Sequence, residues 1–285
     1  MKPTEPEDRP EAKDSPAALL RTPGHSVAIP SVPNLRDLGG WPTQDGGHVR
    51  WGLLYRSTEL GKLAGADMAA FAALGIRSVF DLRTEAERTA QPDRLPPGTE
   101  HVVADVFKGS VDAVPAQLFK VATDPKAAED LLGGGKGQTL FERGYREIVS
   151  MPSAAAAYRQ LFSDLAQDEH RPALFHCTTG KDRTGWAAAA LLTLFGVPDD
   201  LVMKEYLLTN VELLPTEKPM LDRFRALGGD PDLLGPVVGV APEYLQAALD
   251  AMRSAYGTIE AYFTDGLGLD ESVQRVLRAS FIEGP

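Results

Sequence analysis

The chain has 285 residues, 43% of them hydrophobic, enough for one substantial globular core. Its 29 basic and 40 acidic side chains leave a formal net charge of −11, a field that repels nucleic acid and anionic lipid surfaces, so no nucleic-acid partner is expected and any anionic ligand must be captured by local geometry. No run approaches the roughly 18 uninterrupted apolar residues of a membrane span, and a single cysteine, Cys177, excludes an intramolecular disulfide framework.

Residues 1–24 are rich in Pro, Glu, Asp and Lys and are expected to form a disordered tail, because such a composition cannot offset the entropy of ordering. The tail lacks the basic start and apolar block of a secretory signal. The expectation is therefore a cytoplasmic protein, or one exported without a cleaved signal peptide. Residues 25–285 are expected to form one α/β domain.

Within it, Asp45-Gly46-Gly47 lies between two strand-like runs and predicts a hairpin. "GADMAAFAALGI" predicts a helix ended by Gly75, "IRSVFDLRT" a buried strand with Asp81 and Arg83 at its C-terminal end, and "HVVADVF" a second strand. Periodicity weakens after Lys108, so 108–150 is expected to hold a helical, lid-like insertion. "YREIVSMPSAAAAYRQLFSDLAQ" predicts helix, "PALFH" strand, "TGWAAAALLTLFG" a buried helix, and "DDLVMKEYLLTN" a helix capped by Asp199 or Asp200. Residues 215–241 read as loop, followed by two amphipathic helices. The β, α, β order predicts a central, mostly parallel sheet flanked by helices.

The chemistry concentrates in "PALFHCTTGKDRTGW". A strand ends at His176, a polar loop of Thr178, Thr179, Gly180, Lys181 and Asp182 follows, and a helix starts near Thr184. Backbone N–H groups of such a loop can turn inward around an anion, and the helix N-terminus adds partial positive charge. The Gly-x4-Gly-Lys-Ser/Thr spacing of a nucleotide-binding loop is absent. Cys177 and Arg183 stand at the loop's two ends with five residues between them.

A free thiol titrates near about 8.5, so a reactive thiolate at neutral pH needs stabilisation. Lowering that value by roughly three units takes about 4 kcal/mol, while a helix terminus supplies at most about 2. The remainder is assigned to loop N–H donors, the Thr184 hydroxyl and Arg183, whose planar fork also suits two phosphoryl oxygens.

These residues carry a resemblance. "HCTTGKDRTG" resembles the His-Cys-x5-Arg-Ser/Thr signature of the protein-tyrosine-phosphatase superfamily. With "NLRDLGG", "LLYRS", "DLRTEAE" and "YGTIEAYF" in order, residues 28–282 look like its bacterial tyrosine/lipid phosphatase group. The resemblance implies attack by Cys177 on phosphorus, a phosphocysteine intermediate, and hydrolysis that requires no metal or other cofactor. It also implies that His176 orients the cysteine through the loop backbone.

No separate general-acid loop is legible; Trp41-Pro42-Thr43 is a coincidental match. Asp182, inside the cradle, is the candidate acid, with Asp81 as its rival or as the residue that orients Arg183. Lys181 is a second cation able to meet another substrate phosphate. Asn34, Arg36 and Asp37 read as fixing a turn.

The expected activity is phosphomonoester hydrolysis on phosphotyrosine, extended by Asp182 toward phosphoserine, phosphothreonine or phosphoinositides. The expected partners are therefore phosphorylated proteins or phosphoinositides. The alternative is a catalytically weak module that binds phosphopeptides or phosphoinositides without turnover. The scattered histidines carry no metal-binding spacing.

Overall fold

The computed structural model describes residues 22–109 and 121–284. The expected tail thus falls almost wholly outside the described residues, as do residues 110–120 of the expected insertion.

The strands are β1 (Arg36–Asp37), β2 (His48–Val49), β3 (Leu54–Ser57), β4 (Ser78–Asp81), β5 (Glu100–Val103), β6 (Ala173–His176) and β7 (Ile282–Glu283). The main sheet runs in the order β1-β3-β6-β4-β5. All its pairings are parallel except β1 with β3. The fold is α/β with a mostly parallel central sheet, as the β, α, β pattern predicts.

Alternation along the three inner strands divides the core. Tyr55, Val79 and Leu174 point to one face, into a cluster with Phe71 and Ile76 around α1 (Gly65–Ala72). Leu54, Phe80 and Phe175, one residue on or back, point to the other and enter the larger core. That period of two fixes the strands' register, because a slip by one residue would exchange the two faces.

The remaining helices are α2 (Glu85–Ala90), α3 (Pro125–Leu132), α4 (Lys136–Ser150), α5 (Pro152–Leu165), α6 (Arg183–Leu194), α7 (Asp199–Ala226), α8 (Gly235–Val238), α9 (Pro242–Tyr256), α10 (Ile259–Ala261) and α11 (Glu271–Phe281). The alanine-rich α6 is buried along nearly its whole length, the expected state of a helix apolar on all sides. Trp186 on it donates to the Tyr262 hydroxyl at 3.2 Å, so the "YGTIEAYF" segment anchors the helix that follows the loop.

The expected turn at 43–47 forms, with Thr43 N bonded to Gly47 O and Val49 N to Trp41 O and an antiparallel bridge between Pro42 and His48; β2 pairs in addition with β7 from the far end of the chain. Three local expectations change. The loop expected over 215–241 is helical to Ala226. Pro215 and Pro219 lie inside the helix, and the residues whose carbonyls lose a helical donor, Val211 and Pro215, are exposed. The residue capping α7 is Pro198, with Asp199 and Asp200 in the first turn, where their charge favours the helix dipole.

Finally, the segment 136–150 assigned to the insertion belongs to the main core. Phe141, Tyr145, Ile148 and Val149 of α4 are buried in it, and Phe141 stacks on Tyr244 of α9 with ring centroids 5.4 Å apart. Helix α3 instead joins a smaller cluster with Phe224, Leu234 and Val238.

Candidate active site

Parallel register aligns the C-terminal ends of the strands. His176 lies opposite Ser57 of β3 on one side and Asp81 of β4 on the other, so the loops after all three strands meet at one edge of the sheet, where open α/β sheets bind ligands. The loop Cys177–Asp182 sits in the middle, and α6 starts at Arg183.

The loop carbonyls are pulled outward. Cys177 O accepts from His176 Nδ1 at 3.0 Å, Thr178 O from Glu59 N at 3.1 Å, and Thr179 O from Asn34 Nδ2 at 3.2 Å. Gly180 O accepts from both Asn34 Nδ2 (3.1 Å) and Arg56 Nη2 (2.6 Å). With the carbonyls held outside, the N–H groups are left for the inside; among the described residues none of Thr178, Thr179, Gly180 and Lys181 donates its N–H within the protein. Asp182 makes no side-chain cap on α6, so no carboxylate competes for that helix N-terminus. Gly180 has φ +67°, and a Cβ there would lie 2.1 Å from Ser57 O. Only glycine fits that approach.

Behind the loop, Glu205 of α7 is buried between two arginines. It bonds Arg36 Nη2 at 2.7 Å and Arg56 Nη1 at 2.8 Å. Burial pushes the Glu205 carboxyl up, but the two guanidinium charges outweigh it and hold the group below the usual carboxylate range. Arg36 also donates to Asn34 Oδ1, which turns the Asn34 amide so that its N–H groups meet the loop. Asn34 holds a left-handed backbone, φ 59°, a conformation asparagine tolerates better than most residues. Asn34 and Arg36 therefore support the loop, beyond fixing a turn.

Cys177 is buried. Burial alone would raise its pKa, yet the charge of Arg183 and the hydroxyl and N–H of Thr184 prevail and lower it below the ordinary thiol value. The buried Thr184 hydroxyl makes no hydrogen bond among the described residues, so it acts on the thiol from nearby.

Arg183 is held by Glu87, a residue sequence reasoning missed as part of the site. Nη1 and Nη2 donate to Glu87 Oε2 and Oε1 at 2.8 and 2.7 Å, and Nη1 also reaches Leu82 O at 3.4 Å. A guanidinium has five N–H donors. Those bonds use the Nη1–Nη2 edge and leave the adjacent Nε–Nη2 edge for two oxygens of a bound anion. Burial pushes the Glu87 carboxyl up, but Arg183 overrides it and keeps Glu87 well below the usual carboxylate range. Thr178 Oγ1 donates to the same carboxylate. Glu87 caps α2 in a capping box with Thr84, and nothing in the local sequence announces its second task.

Asp81 does not hold Arg183. Its carboxylate is buried and takes three donors from Arg83 and one from His101, which also leaves it poorly placed to rival Asp182. Asp93, also missed, lies alongside: it contacts Arg83 Nη2 at 2.9 Å, His101 Nε2 at 3.4 Å and His176 Nε2 at 3.0 Å, while accepting from Leu60 N at 2.8 Å. Both nitrogens of His176 thus face acceptors, and although burial lowers its pKa, Asp93 raises it overall. Asp81, Asp93 and His176 have ligand atoms close enough to hold a metal, but Arg83 Nη2 already sits 2.6 Å from Asp81 Oδ2, and a second cation there would meet its charge.

Lys181 departs from expectation. Its ammonium donates to Asp182 Oδ1 at 2.9 Å and Pro236 O at 3.1 Å and lies 4.3 Å from the centre of the Phe141 ring. An ammonium has three N–H groups, and these three neighbours occupy them. In this arrangement Lys181 clamps the loop to α4 and α8 instead of reaching for a second phosphate. Asp182 Oδ1 accepts additionally from the Tyr145 hydroxyl at 3.0 Å.

Residues 27–283 match the sequence profile of the tyrosine phosphatase family. The chain belongs to that family. It is 29% identical over 272 residues to a Cupriavidus necator protein whose name, tyrosine-protein phosphatase, is provisional, covering 95% of this chain and 93% of that one. It is 28% identical to the triple specificity protein phosphatase PtpB of Mycobacterium tuberculosis, covering 88% of this chain and 96% of PtpB. A tyrosine-protein phosphatase of Nostoc commune is 31% identical over 76% of this chain and 69% of its own length. This phosphatase is accordingly an enzyme of the tyrosine-phosphatase type, acting on phosphorylated substrates. No helix among its described residues is long and apolar enough to cross a membrane.

Proposed function

We propose that this phosphatase hydrolyses phosphotyrosine, and through Asp182 also phosphoserine and phosphothreonine, by way of a phosphocysteine. The observation that carries the reading is the loop backbone: every carbonyl from Cys177 to Gly180 is bonded outward, around a buried thiol whose pKa is lowered.

Cys177 Sγ attacks phosphorus. The S–P bond forms as the ester P–O bond breaks, and the departing oxygen takes the proton of Asp182. The inward N–H groups and the free Nε–Nη2 edge of Arg183 bind the equatorial oxygens, whose charge spreads in the transition state. Water then attacks phosphorus, gives a proton to the Asp182 carboxylate, and the S–P bond breaks to release inorganic phosphate. The acid matters little for an activated aryl leaving group and most for an alkyl one, so it sets the breadth of substrate. Phosphoinositides are the less favoured substrates, because the Lys181 ammonium is already occupied.

The test is phosphate release from phosphotyrosine, phosphoserine, phosphothreonine and phosphoinositide substrates, run beside Cys177→Ser. Turnover should vanish in the variant while phosphate analogues still bind. Retained turnover would refute the cysteine mechanism, and binding without turnover by the unsubstituted protein would favour a recognition module.

A further inference from the structure

We propose that Tyr145 is the positioning residue of the general acid, and that helix α4 thereby sets how well this phosphatase handles alkyl phosphates. The inference rests on the reading of Asp182 as the acid.

Tyr145 is buried in α4, and its hydroxyl donates to Asp182 Oδ1 at 3.0 Å while lying 2.7 Å from the Tyr206 hydroxyl. A phenol has one hydrogen to give. Because Asp182 offers only acceptors when ionised, Tyr145 donates to it and Tyr206 donates to Tyr145. The chain of donors runs Tyr206 to Tyr145 to Asp182. Burial first, and then the neighbouring Asp182 charge, raise the Tyr145 pKa well above the ordinary phenol value, so this direction holds through the pH range of catalysis.

The consequence concerns which oxygen carries the proton. Asp182 Oδ1 takes two donors, Tyr145 O–H and Lys181 N–H, and a protonated Oδ1 would point its hydrogen at one of them. Oδ2 has no hydrogen-bond partner among the described residues. The transferable proton therefore resides on Oδ2, the oxygen free to meet a leaving group. Without the Tyr145 hydroxyl, Oδ1 keeps only the Lys181 bond, and the carboxyl gains freedom to rotate.

Phe141, one turn earlier on α4, holds the face of its ring toward Lys181. One helix thus steadies both members of the Lys181-Asp182 pair. Neither Tyr145 nor Phe141 has to touch substrate to do this, so Tyr145 acts through Asp182.

The experiment compares kcat for an alkyl phosphate (a phosphoserine peptide) and an activated aryl phosphate (p-nitrophenyl phosphate) in Tyr145→Phe, Asp182→Asn and the double variant, with thermal midpoints measured alongside. General acids contribute about 10²–10⁴-fold, and loss of its positioning in Tyr145→Phe should lower alkyl turnover on the order of tenfold but aryl turnover by no more than about twofold. The double variant should be no slower on the alkyl substrate than Asp182→Asn alone, since the two residues act as one unit.

Equal losses on both substrates in Tyr145→Phe, or additive losses in the double variant, would overturn the positioning role while leaving Asp182 as the acid. Equal losses in Asp182→Asn would overturn that reading and the inference with it. Tyr206→Phe guards against a simple packing effect. It leaves Tyr145 bonded to Asp182 and should retain more alkyl turnover than Tyr145→Phe; the reverse order counts against the proposal.

Discussion

Glu87 and Arg183 meet fork to fork, with both carboxylate oxygens on the two terminal nitrogens of the guanidinium at 2.7 and 2.8 Å. Glu87 comes from α2 and Arg183 from the first turn of α6, so the pair ties the helix after β4 to the anion cradle. The pairing leaves Arg183 one edge with a fixed direction.

Glu87→Gln keeps the shape but loses one accepting oxygen and the charge. Arg183 should then sample other orientations, and kcat/KM for an aryl phosphate should fall on the order of ten- to a hundredfold, as small misplacements of a binding group do. Steady-state kinetics check this. Unchanged kcat/KM would mean that the loop alone orients Arg183.

Glu205→Gln should act mainly on stability. It leaves Arg36 and Arg56 buried together without a carboxylate, and breaking a buried ion pair costs about 3–5 kcal/mol. Burial already weighs on Arg36, whose pKa falls to about 10 despite Glu205. Urea denaturation should show the loss, and activity should fall with it, because Arg56 holds Gly180 O.

Alkaline pH should loosen the cluster beside β4. Hydrogen bonds to Asp81 and then Asp93 raise the His101 pKa from 6.5 to about 9, and the facing groups are those two carboxylates and Arg83. Below about 6.5 the ring is charged whether the chain is folded or unfolded, and its contribution is complete. As pH rises toward 9 the folded form must hold a proton the unfolded chain has lost, so stability declines through that window and the contribution is gone above it. His176, raised in the same direction by Asp93, adds to the trend. Urea midpoints from pH 6 to 9.5 should fall, and His101→Gln should flatten the slope; a flat profile in the unsubstituted protein would refute the linkage.

Much of the site was legible because it is local. Cys177, Gly180, Arg183 and Thr184 lie within one short loop and helix start, where spacing alone dictates an anion cradle, and the β, α, β order announced the sheet that carries it. Lys181 shows the limit of local reading: its charge suggested a second phosphate, whereas packing against Phe141 and Pro236 O gave it other partners. Asp81 shows the same limit, since its place at a strand end was read correctly but its charge is taken by Arg83 and His101.

The sequence by itself determined the cradle and the residues that line it, because backbone geometry and charge at a strand-loop-helix junction depend on neighbours a few positions apart. Only the tertiary structure decided what holds each of those residues in place. Glu87 stands 96 positions from Arg183, Arg56 stands 124 from Gly180, and Tyr145 stands 37 from Asp182. No periodicity links such positions; they become neighbours when the parallel strands align their ends and the helices close over both faces of the sheet.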